Sequence, residues 1–318
     1  MKSQYAELVG PRTMALKEEE ISFGDAEMLV RITHCGLCQY DGSYFKGIIG
    51  SVPQRLGHEP VGIVEAVGSK VTGFKPGDRV TGLFANLRAF ATYCVADPKS
   101  ALLVPSAIPS ELALGEPLKC ISTIARAANP QFGDRVLVMG AGFMGLLVIA
   151  ALRGSSVGLL IAADINDERL KLAREFGATH TLRSDDPVFL ERVKDLTRGY
   201  GIDVAVEVVG LPEPAELAAK TLRRGGRPRY VIAGWHGQPG TFTLRTWTTV
   251  GAEIISAHPS YSLDPMDDCR RGMEALGRGV FPMEKLVTHR FPLSRVQQGL
   301  EAMVGATPGY IKGVIVVG

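Results

Sequence analysis

The chain has 318 residues, of which 46% are hydrophobic, and its 35 basic residues nearly balance its 33 acidic ones. This length suffices for two domains with cores of their own, and a balanced charge without basic runs gives no reason to expect nucleic acid as a partner. The chain shows no apolar leader and no run of about 18 apolar residues, and its five cysteines are scattered and odd in number, so we expect a protein of the reducing cytoplasm that is neither secreted nor membrane-bound.

Short apolar runs separated by Gly and Pro dominate residues 1–121 and predict a mostly antiparallel, barrel-like β domain. Strands are predicted over Met28–Ile32, Gly62–Val67, Asp78–Gly82 and Ala91–Val95. A functional site is expected at the rim of this sheet, because residues with reactive or metal-binding side chains lie next to these apolar runs.

The most informative stretch of this half is Gly57–Gly62, of sequence GHEPVG, with Gly68 and Val71 behind it. A His–Glu pair between glycines that runs into an apolar strand places an imidazole and a carboxylate where a metal can be held. Twenty residues earlier lies Cys38, which forms a C-x-x-C pair with Cys35. The pattern indicates a metal site rather than a lone structural histidine.

The spacing G-H-E-x-x-G-x5-G-x-x-V resembles that of the zinc-containing medium-chain alcohol dehydrogenases. The resemblance implies a GroES-like catalytic domain in which Cys38 and His58 ligate a catalytic zinc, with Asp41 orienting the imidazole. It implies that Glu59 is a ligand or a close outer partner of the metal. Glu116, in a Glu-Pro-Leu motif like that of the sorbitol- and threonine-dehydrogenase-like branch, is implied as a further metal ligand.

Two other interpretations of the Cys35–Cys38 pair are open but less favoured. A thioredoxin-type redox pair requires a different fold context. A structural zinc requires a second pair of ligands nearby, and the sequence offers none. Cys35 is therefore interpreted as a small buried apolar residue.

From about residue 122 the pattern changes to strands that alternate with amphipathic helices, which is typical of a parallel sheet. The chain is accordingly divided into a catalytic domain over 1–121, a cofactor domain over 122–267 and a tail over 268–318 that the resemblance returns to the first domain. The predicted fold class is α/β, a doubly wound (Rossmann) parallel sheet beside the GroES-like domain. Its strands are predicted at Arg135–Gly140, Leu159–Ile165, His180–Leu182, Ile202–Gly210, Arg229–Gly234 and Ala252–His258.

A glycine-rich turn after the first of these strands predicts a dinucleotide site. The motif G-x-G-x-x-G spans Gly140, Gly142, Phe143, Met144 and Gly145, follows a strand and opens an apolar helix. The glycines permit the tight turn, the approach of the pyrophosphate and the close packing of helix on strand, and the helix N-terminus favours the phosphates.

Asp164, nineteen residues beyond Gly145 at the end of the next strand, predicts NAD rather than NADP. Its carboxylate can accept hydrogen bonds from both hydroxyls of the adenosine ribose. A 2′-phosphate at the same place would instead be repelled by the like charge, at a cost of about 4 kcal/mol at 4 Å and an effective dielectric of 20. No Arg follows it directly; Arg169 lies five residues on, where the resembled dehydrogenases often have a basic residue near the ribose. The nicotinamide is expected against the backbone at carboxyl ends of strands, namely Val208, Val209, Ala233 and Gly234.

The chain departs from the resembled family in two places. Residues 81–93 contain no cysteine, whereas many relatives insert a lobe with four cysteines there, so a single zinc is expected. Tyr40 stands where relatives usually have a Ser or Thr that relays the proton; a phenol can also pass a proton, but its ring takes up space in the substrate pocket. His34, His180, His236 and His289 are interpreted as ordinary surface or rim residues, and His258, which lies nearer the expected nicotinamide end, as a candidate for lining the cleft.

The resemblance implies an NAD-dependent zinc enzyme that oxidises an alcohol, preferably a secondary alcohol or a polyol. The implied catalytic residues are Cys38, Tyr40, His58 and Glu59. Zinc would bind the hydroxyl and lower its pKa before hydride leaves for the nicotinamide. The partners expected are a small alcohol or ketone and further copies of the chain, as a dimer or tetramer. A zinc-free quinone or enoyl reductase on the same fold and a catalytically silent, redox-sensing NAD-binding protein are the alternatives.

Overall fold

The computed structural model describes residues 1–154, 156–305 and 307–318. These residues form two compact units, one made of Met1–Lys119 with Asp264–Gly318 and the other of Cys120–Leu263. No helix in the described ranges is both long enough and apolar enough to cross a membrane.

Strands and helices are numbered in chain order. The strands are β1 (Lys2–Gly10), β2 (Thr13–Glu20), β3 (Met28–Gly36), β4 (Gln54–Arg55), β5 (Glu59–Val67), β6 (Arg79–Gly82), β7 (Tyr93–Ala96), β8 (Ala101–Leu103), β9 (Arg135–Met139), β10 (Leu159–Asp164), β11 (His180–Arg183), β12 (Val204–Glu207), β13 (Arg229–Ile232), β14 (Glu253–Ser256), β15 (Val287–Pro292) and β16 (Lys312–Val316). The helices are α1 (Gln39–Phe45), α2 (Gly115–Ala128), α3 (Phe143–Leu152), α4 (Asp167–Phe176), α5 (Phe189–Leu196), α6 (Pro212–Lys220), α7 (Leu244–Thr248), α8 (Pro265–Gly277) and α9 (Val296–Val304).

The first unit is built on a sheet of order β15-β16-β3-β5-β6-β8, with β7 also paired to β3. All of its pairs are antiparallel except β15 with β16. Strand β3 is buried along nearly its whole length because strands flank it on both sides. The tail after residue 264 supplies α8, α9, β15 and β16 to this unit, and β16 pairs directly with β3.

The second unit is a parallel sheet of order β11-β10-β9-β12-β13-β14. This order is the 3-2-1-4-5-6 arrangement of a doubly wound dinucleotide fold, so the predicted fold class is confirmed. Each predicted strand overlaps an observed one: β11 ends one residue later than predicted, and the other five strands end one to three residues earlier. Gly177 closes α4 in the left-handed region at φ 118°, as a C-terminal glycine should.

Candidate metal centre and cofactor loops

The loop between β3 and α1 places Cys38 at the start of a short helix. Cys38 is the N-cap residue of α1, with an extended backbone, and its N–H donates to Oδ2 of Asp41 at 3.3 Å. An aspartate in the first helical turn also suits the positive end of the helix dipole. The turn therefore holds the Cys38 thiol and the Asp41 carboxylate on one short, well-packed segment.

Asp41 links this turn to the segment that carries His58. Its carboxylate is fully buried, and Oδ1 accepts from the N–H of Gly57 at 3.0 Å and from Nδ1 of His58 at 3.2 Å. An imidazole that donates from Nδ1 keeps the lone pair of Nε2 for a metal. Burial lowers the pKa of His58, but the nearby Asp41 carboxylate and Cys38 outweigh it and raise that pKa well above its ordinary value.

Cys38, His58 and Glu59 come together as one group of potential metal ligands. One ligand atom from each lies within 4.8 Å of the others. Zinc bonds of about 2.0–2.3 Å put tetrahedral ligand atoms about 3.3–3.8 Å apart, so small side-chain adjustments would close this group around an ion. The donor set of sulfur, imidazole nitrogen and carboxylate oxygen is also the chemistry that zinc selects, and we conclude that these residues fit the metal.

Glu59 is held by a lysine that sequence reasoning missed. Both side chains are buried, and Nζ of Lys312 lies 2.7 Å from Oε1, to which it donates, and 2.6 Å from Oε2, which accepts no well-aligned hydrogen bond. Gly36 leaves the room for this carboxylate, since a Cβ there would lie 1.9 Å from Oε2. The one feature of the sequence that could have indicated this lysine is that it is a single charged residue in an otherwise apolar C-terminal strand.

Glu116, at the start of α2, lies outside the group of three. Its Oε1 accepts from Nζ of Lys119 at 2.6 Å, one helical turn further on. Burial would raise the pKa of Glu116, but the charges of Lys119, His58 and Lys312 outweigh it and lower that pKa. Charged groups of the candidate metal centre therefore act electrostatically on the Glu116 carboxylate. The role of Glu116 as a direct ligand stays a prediction.

Tyr40 lies beside the candidate metal centre on the second residue of α1. Its ring meets that of His58 edge to face at a centroid distance of 5.7 Å. Its hydroxyl is 3.2 Å from the hydroxyl of Tyr44, one turn further along the same helix. This hydrogen bond, followed by burial, raises the pKa of Tyr44 to about 12. Two phenol groups therefore form a short hydroxyl chain next to the imidazole.

The glycine-rich loop of the second unit has the form that a pyrophosphate needs. Gly140 adopts φ 101°, and a Cβ on Gly145 would lie 1.8 Å from the carbonyl oxygen of Gly140. A Cβ on Gly142 would meet nothing within 4 Å, so open space lies at the N-cap of α3. Phe143 and Met144 form the first turn of that helix, whose N–H groups suit phosphate oxygens.

Asp164 ends β10 beside this loop and is bound to it. Its Oδ2 accepts from the N–H of Ala141 at 2.7 Å, and its Oδ1 accepts from the N–H of Asn166 at 2.9 Å. Each oxygen keeps a second lone pair for a ribose hydroxyl. Arg169 lies in the first turn of α4, where its N–H donates to the capping Asn166.

The structure also brings an arginine to the strand next to Asp164. Arg183, on β11, lies opposite Asp164 in the parallel register of the two strands. The two residues are 19 positions apart in the sequence, so their proximity was not predicted. Its guanidinium donates to Asp167 at 2.9 Å and to Asp185 at 2.7 and 3.0 Å, so its charge is balanced by carboxylates.

The four backbone positions predicted for the nicotinamide lie just beyond β12 and β13. Their N–H groups are all used within the protein: Val208 donates to Met139, and Val209, Ala233 and Gly234 donate to oxygens of Glu207. These positions can therefore offer a ligand carbonyl oxygens rather than N–H groups. His236, predicted to be an ordinary surface or rim residue, is partly buried, and its Nε2 lies 2.9 Å from Oε2 of the fully buried Glu207.

Comparisons with known proteins agree with this architecture. A family model described as "Alcohol dehydrogenase GroES-like domain" matches residues 24–106, and one described as "Zinc-binding dehydrogenase" matches residues 144–261. Sorbitol dehydrogenase of Bacillus subtilis (strain 168) is 29% identical, with 86% of each chain covered, and L-threonine 3-dehydrogenase of Paraburkholderia phymatum is 26% identical, with 93% of each covered. The crystal structure of an Escherichia coli oxidoreductase/dehydrogenase of unknown specificity matches with a TM-score of 0.90 at 26% identity over 100% of both chains.

Proposed function

This chain belongs to the zinc-containing medium-chain alcohol dehydrogenase family, and we propose that it transfers a hydride reversibly between a secondary alcohol or polyol and NAD. The observation that carries the proposal is the convergence of Cys38, His58 and Glu59 within 4.8 Å, on a fold that also presents a dinucleotide loop. The similarity to sorbitol and threonine dehydrogenases supports a substrate with a secondary hydroxyl.

We propose that Cys38 and His58 hold one catalytic zinc, with Glu59 as ligand or outer partner and Glu116 as a further carboxylate. The ion would supply Lewis acidity that lowers the pKa of an alcohol hydroxyl toward neutrality. Asp41 keeps Nε2 of His58 available, and Lys312 balances the charge of Glu59. The binding of one zinc rather than two rests on the absence of a four-cysteine lobe between residues 81 and 93.

Tyr40 is proposed to relay the proton that leaves the alcohol: its hydroxyl accepts that proton while it gives up its own. Its hydroxyl is hydrogen-bonded to that of Tyr44, one helical turn further along α1, which can take up the proton that Tyr40 gives up. A phenol can both donate and accept a proton, so Tyr40 can replace the shorter hydroxyl of relatives. The ring of Tyr40 would also restrict the size of alcohol that reaches the metal centre.

NAD is proposed over NADP because of the surroundings of Asp164. A 2′-phosphate at this position would meet a buried carboxylate that is fixed by two backbone N–H groups. Arg183, the basic residue on the neighbouring strand, is occupied by Asp167 and Asp185. An adenosine ribose with free hydroxyls is therefore the better match.

The protein is proposed to form a homo-oligomer through the open edge of its parallel sheet. Strand β14 ends the sheet order, and Ile254 on it is half exposed. An unpaired apolar edge strand is a ready template for pairing with a second copy.

All five cysteines are free, with Cys35 and Cys38 close in sequence, which supports a reducing compartment such as the cytoplasm.

A panel of polyols, amino alcohols and simple secondary alcohols tests the function, with NADH absorbance as the measurement and zinc-loaded protein as the enzyme. Turnover of at least one class that is lost on removal of zinc would support the proposal. Turnover of quinones or enoyl substrates by the zinc-free protein would favour the reductase alternative. Tight NADH binding without turnover of any member would favour the silent, redox-sensing alternative.

A further inference from the structure

Glu207 is a buried carboxylate that the proposed chemistry does not use. It ends β12, has no exposed surface, and its Oε1 accepts from the N–H of Val209 at 2.6 Å and of Gly210 at 2.7 Å. Its carbonyl oxygen accepts from the N–H groups of Ala233 and Gly234, each at 2.8 Å. One residue therefore binds the loop after its own strand and the loop after the next strand.

His236 completes this arrangement from the second loop. Its Nε2 lies 2.9 Å from Oε2 of Glu207, and its ring packs edge to face on Phe242 at 5.9 Å. In the part of the chain that the structure describes, Nδ1 of His236 has no hydrogen-bond partner. Burying a carboxylate costs free energy, which the three N–H donors offset here. Loss of any one donor would leave the buried charge less well solvated.

The two loops also touch through positions that only glycine allows. A Cβ on Gly234 would lie 2.3 Å from the backbone N of Gly210 and 2.8 Å from Oε2 of Glu207. A Cβ on Gly210, which adopts φ 81°, would lie 2.4 Å from the carbonyl oxygen of Trp235. The loops after β12 and β13 are therefore locked together by direct backbone contact and by the Glu207 side chain.

From this geometry we infer that Glu207 and His236 form a positioning pair for the nicotinamide riboside half of the cofactor. The inference rests on the proposed function, which brings NAD to the carboxyl ends of these strands. The pair fixes the loops that carry Val208, Val209, Ala233 and Gly234 in one conformation before the cofactor binds. A preformed surface spares the cofactor the entropic cost of ordering two loops on binding.

The experiment compares two ligands that differ by this half of the cofactor. Dissociation constants are measured for NADH, by its fluorescence, and for ADP, by calorimetry, with the wild-type protein and with His236→Ala, His236→Gln and Glu207→Gln. In His236→Ala we expect the NADH dissociation constant to rise about tenfold, as for a lost hydrogen bond to a charged group, while that of ADP changes less than twofold. His236→Gln keeps an N–H donor for Glu207 and should recover most of the NADH affinity.

His180→Ala is the matched control, since His180 begins β11 at the far edge of the same sheet and, among the residues that the structure describes, its side chain is hydrogen-bonded to its neighbour Thr179 alone. This variant should bind both ligands as the wild type does. Equal weakening of NADH and ADP in His236→Ala, or no weakening of either, would overturn the inference. Should Glu207→Gln fail to fold, the two His236 variants decide alone. A wild-type protein that binds ADP but not NADH would overturn the proposed function, and the inference with it.

Discussion

Lys312 and Glu59 form a buried ion pair across 253 residues of sequence, with Nζ 2.6–2.7 Å from both carboxylate oxygens. Burial lowers the pKa of Lys312, but the Glu59 carboxylate and Cys38 outweigh it and raise that pKa, so the ammonium is charged at neutral pH. The lysine is the counter-charge that lets a carboxylate lie beside the candidate metal ligands without solvent. Glu59 can then turn toward a metal while its charge stays compensated.

Removal of this counter-charge should destabilise the zinc-free protein. In Lys312→Met, Glu59 is left as an uncompensated buried charge, and we expect the free energy of unfolding to fall by about 3–5 kcal/mol. The loss should be smaller in the zinc-loaded protein, where the ion supplies positive charge. Urea unfolding with and without zinc measures both values. The double variant Lys312→Met with Glu59→Gln should recover part of the stability; a double variant as unstable as the single one would refute the pairing argument.

Zinc content should depend on Cys38 and not on Cys35. We expect elemental analysis to find about one zinc per chain in protein purified without chelator, and much less in Cys38→Ala. Cys35→Ala is the matched control, because Cys35 belongs to the same C-x-x-C pair, is fully buried, and has a pKa that burial raises well above the ordinary value. Two tightly held zinc ions, or a Cys38→Ala protein that retains its metal, would exclude this assignment.

The parts of this molecule that local sequence determines were predictable. The glycine-rich loop and the residues around His58 each lie within one turn or strand end, so spacing alone indicates their geometry. The parallel sheet also follows from the alternation of apolar runs with amphipathic helices, and its predicted fold is confirmed.

Contacts between distant strands were not predictable in the same way. Lys312 reaches Glu59 only because β16 pairs with β3 and β3 pairs with β5, and no local pattern specifies that order. Arg183 becomes the neighbour of Asp164 through the parallel register of two strands. The sequence predicts His236 as an ordinary surface or rim residue, and its contact with Glu207 is not visible in the sequence because the two residues follow different strands. Single positions in separate elements carry no spacing signal, although their charges decide the electrostatics of both sites.

Cofactor preference should respond to the charge at residue 164. Asp164→Ser combined with Ile165→Arg removes the repulsion of a 2′-phosphate and adds a partner for it, so the ratio of kcat/KM for NAD to that for NADP should fall by at least about tenfold. NAD affinity should fall too, because Asp164 also binds the N–H groups of Ala141 and Asn166. Asp164→Asn, which removes the charge but keeps the shape, separates the two effects. A wild-type protein that already prefers NADP would show the argument to be wrong.

Thiol reactivity should distinguish the buried cysteines from the candidate ligand. Burial raises the pKa of Cys94 and of Cys269 to about 12, so neither thiol is ionised to any extent at pH 8. Cys38 is half-buried, and alkylation by iodoacetamide followed by peptide mapping should label it in the folded, zinc-free protein. Zinc should protect Cys38 and leave the other cysteines unchanged; labelling of Cys38 that is indifferent to zinc would argue against its role as a ligand.

Tyr40 offers a choice between proton relay and pocket wall, and two substitutions separate them. If the hydroxyl relays the proton that leaves the alcohol, Tyr40→Phe should keep zinc and NAD binding but slow turnover by about 10²-fold, the usual scale of general acid–base catalysis. If the ring only limits the pocket, Tyr40→Phe should be nearly silent, while Tyr40→Ala should admit bulkier alcohols.

The 3.2 Å contact between the hydroxyls of Tyr40 and Tyr44 favours the relay, because it gives the proton a further acceptor one helical turn away. On that argument Tyr44→Phe, which leaves the ring of Tyr40 in place, should also slow turnover, though less than Tyr40→Phe does. Turnover of one small and one bulky alcohol should be measured for all three variants under conditions where hydride transfer limits the rate, as shown by a deuterium isotope effect on the alcohol. A Tyr40→Phe enzyme with unchanged turnover under those conditions would falsify the relay and leave the phenol ring as a determinant of substrate size alone.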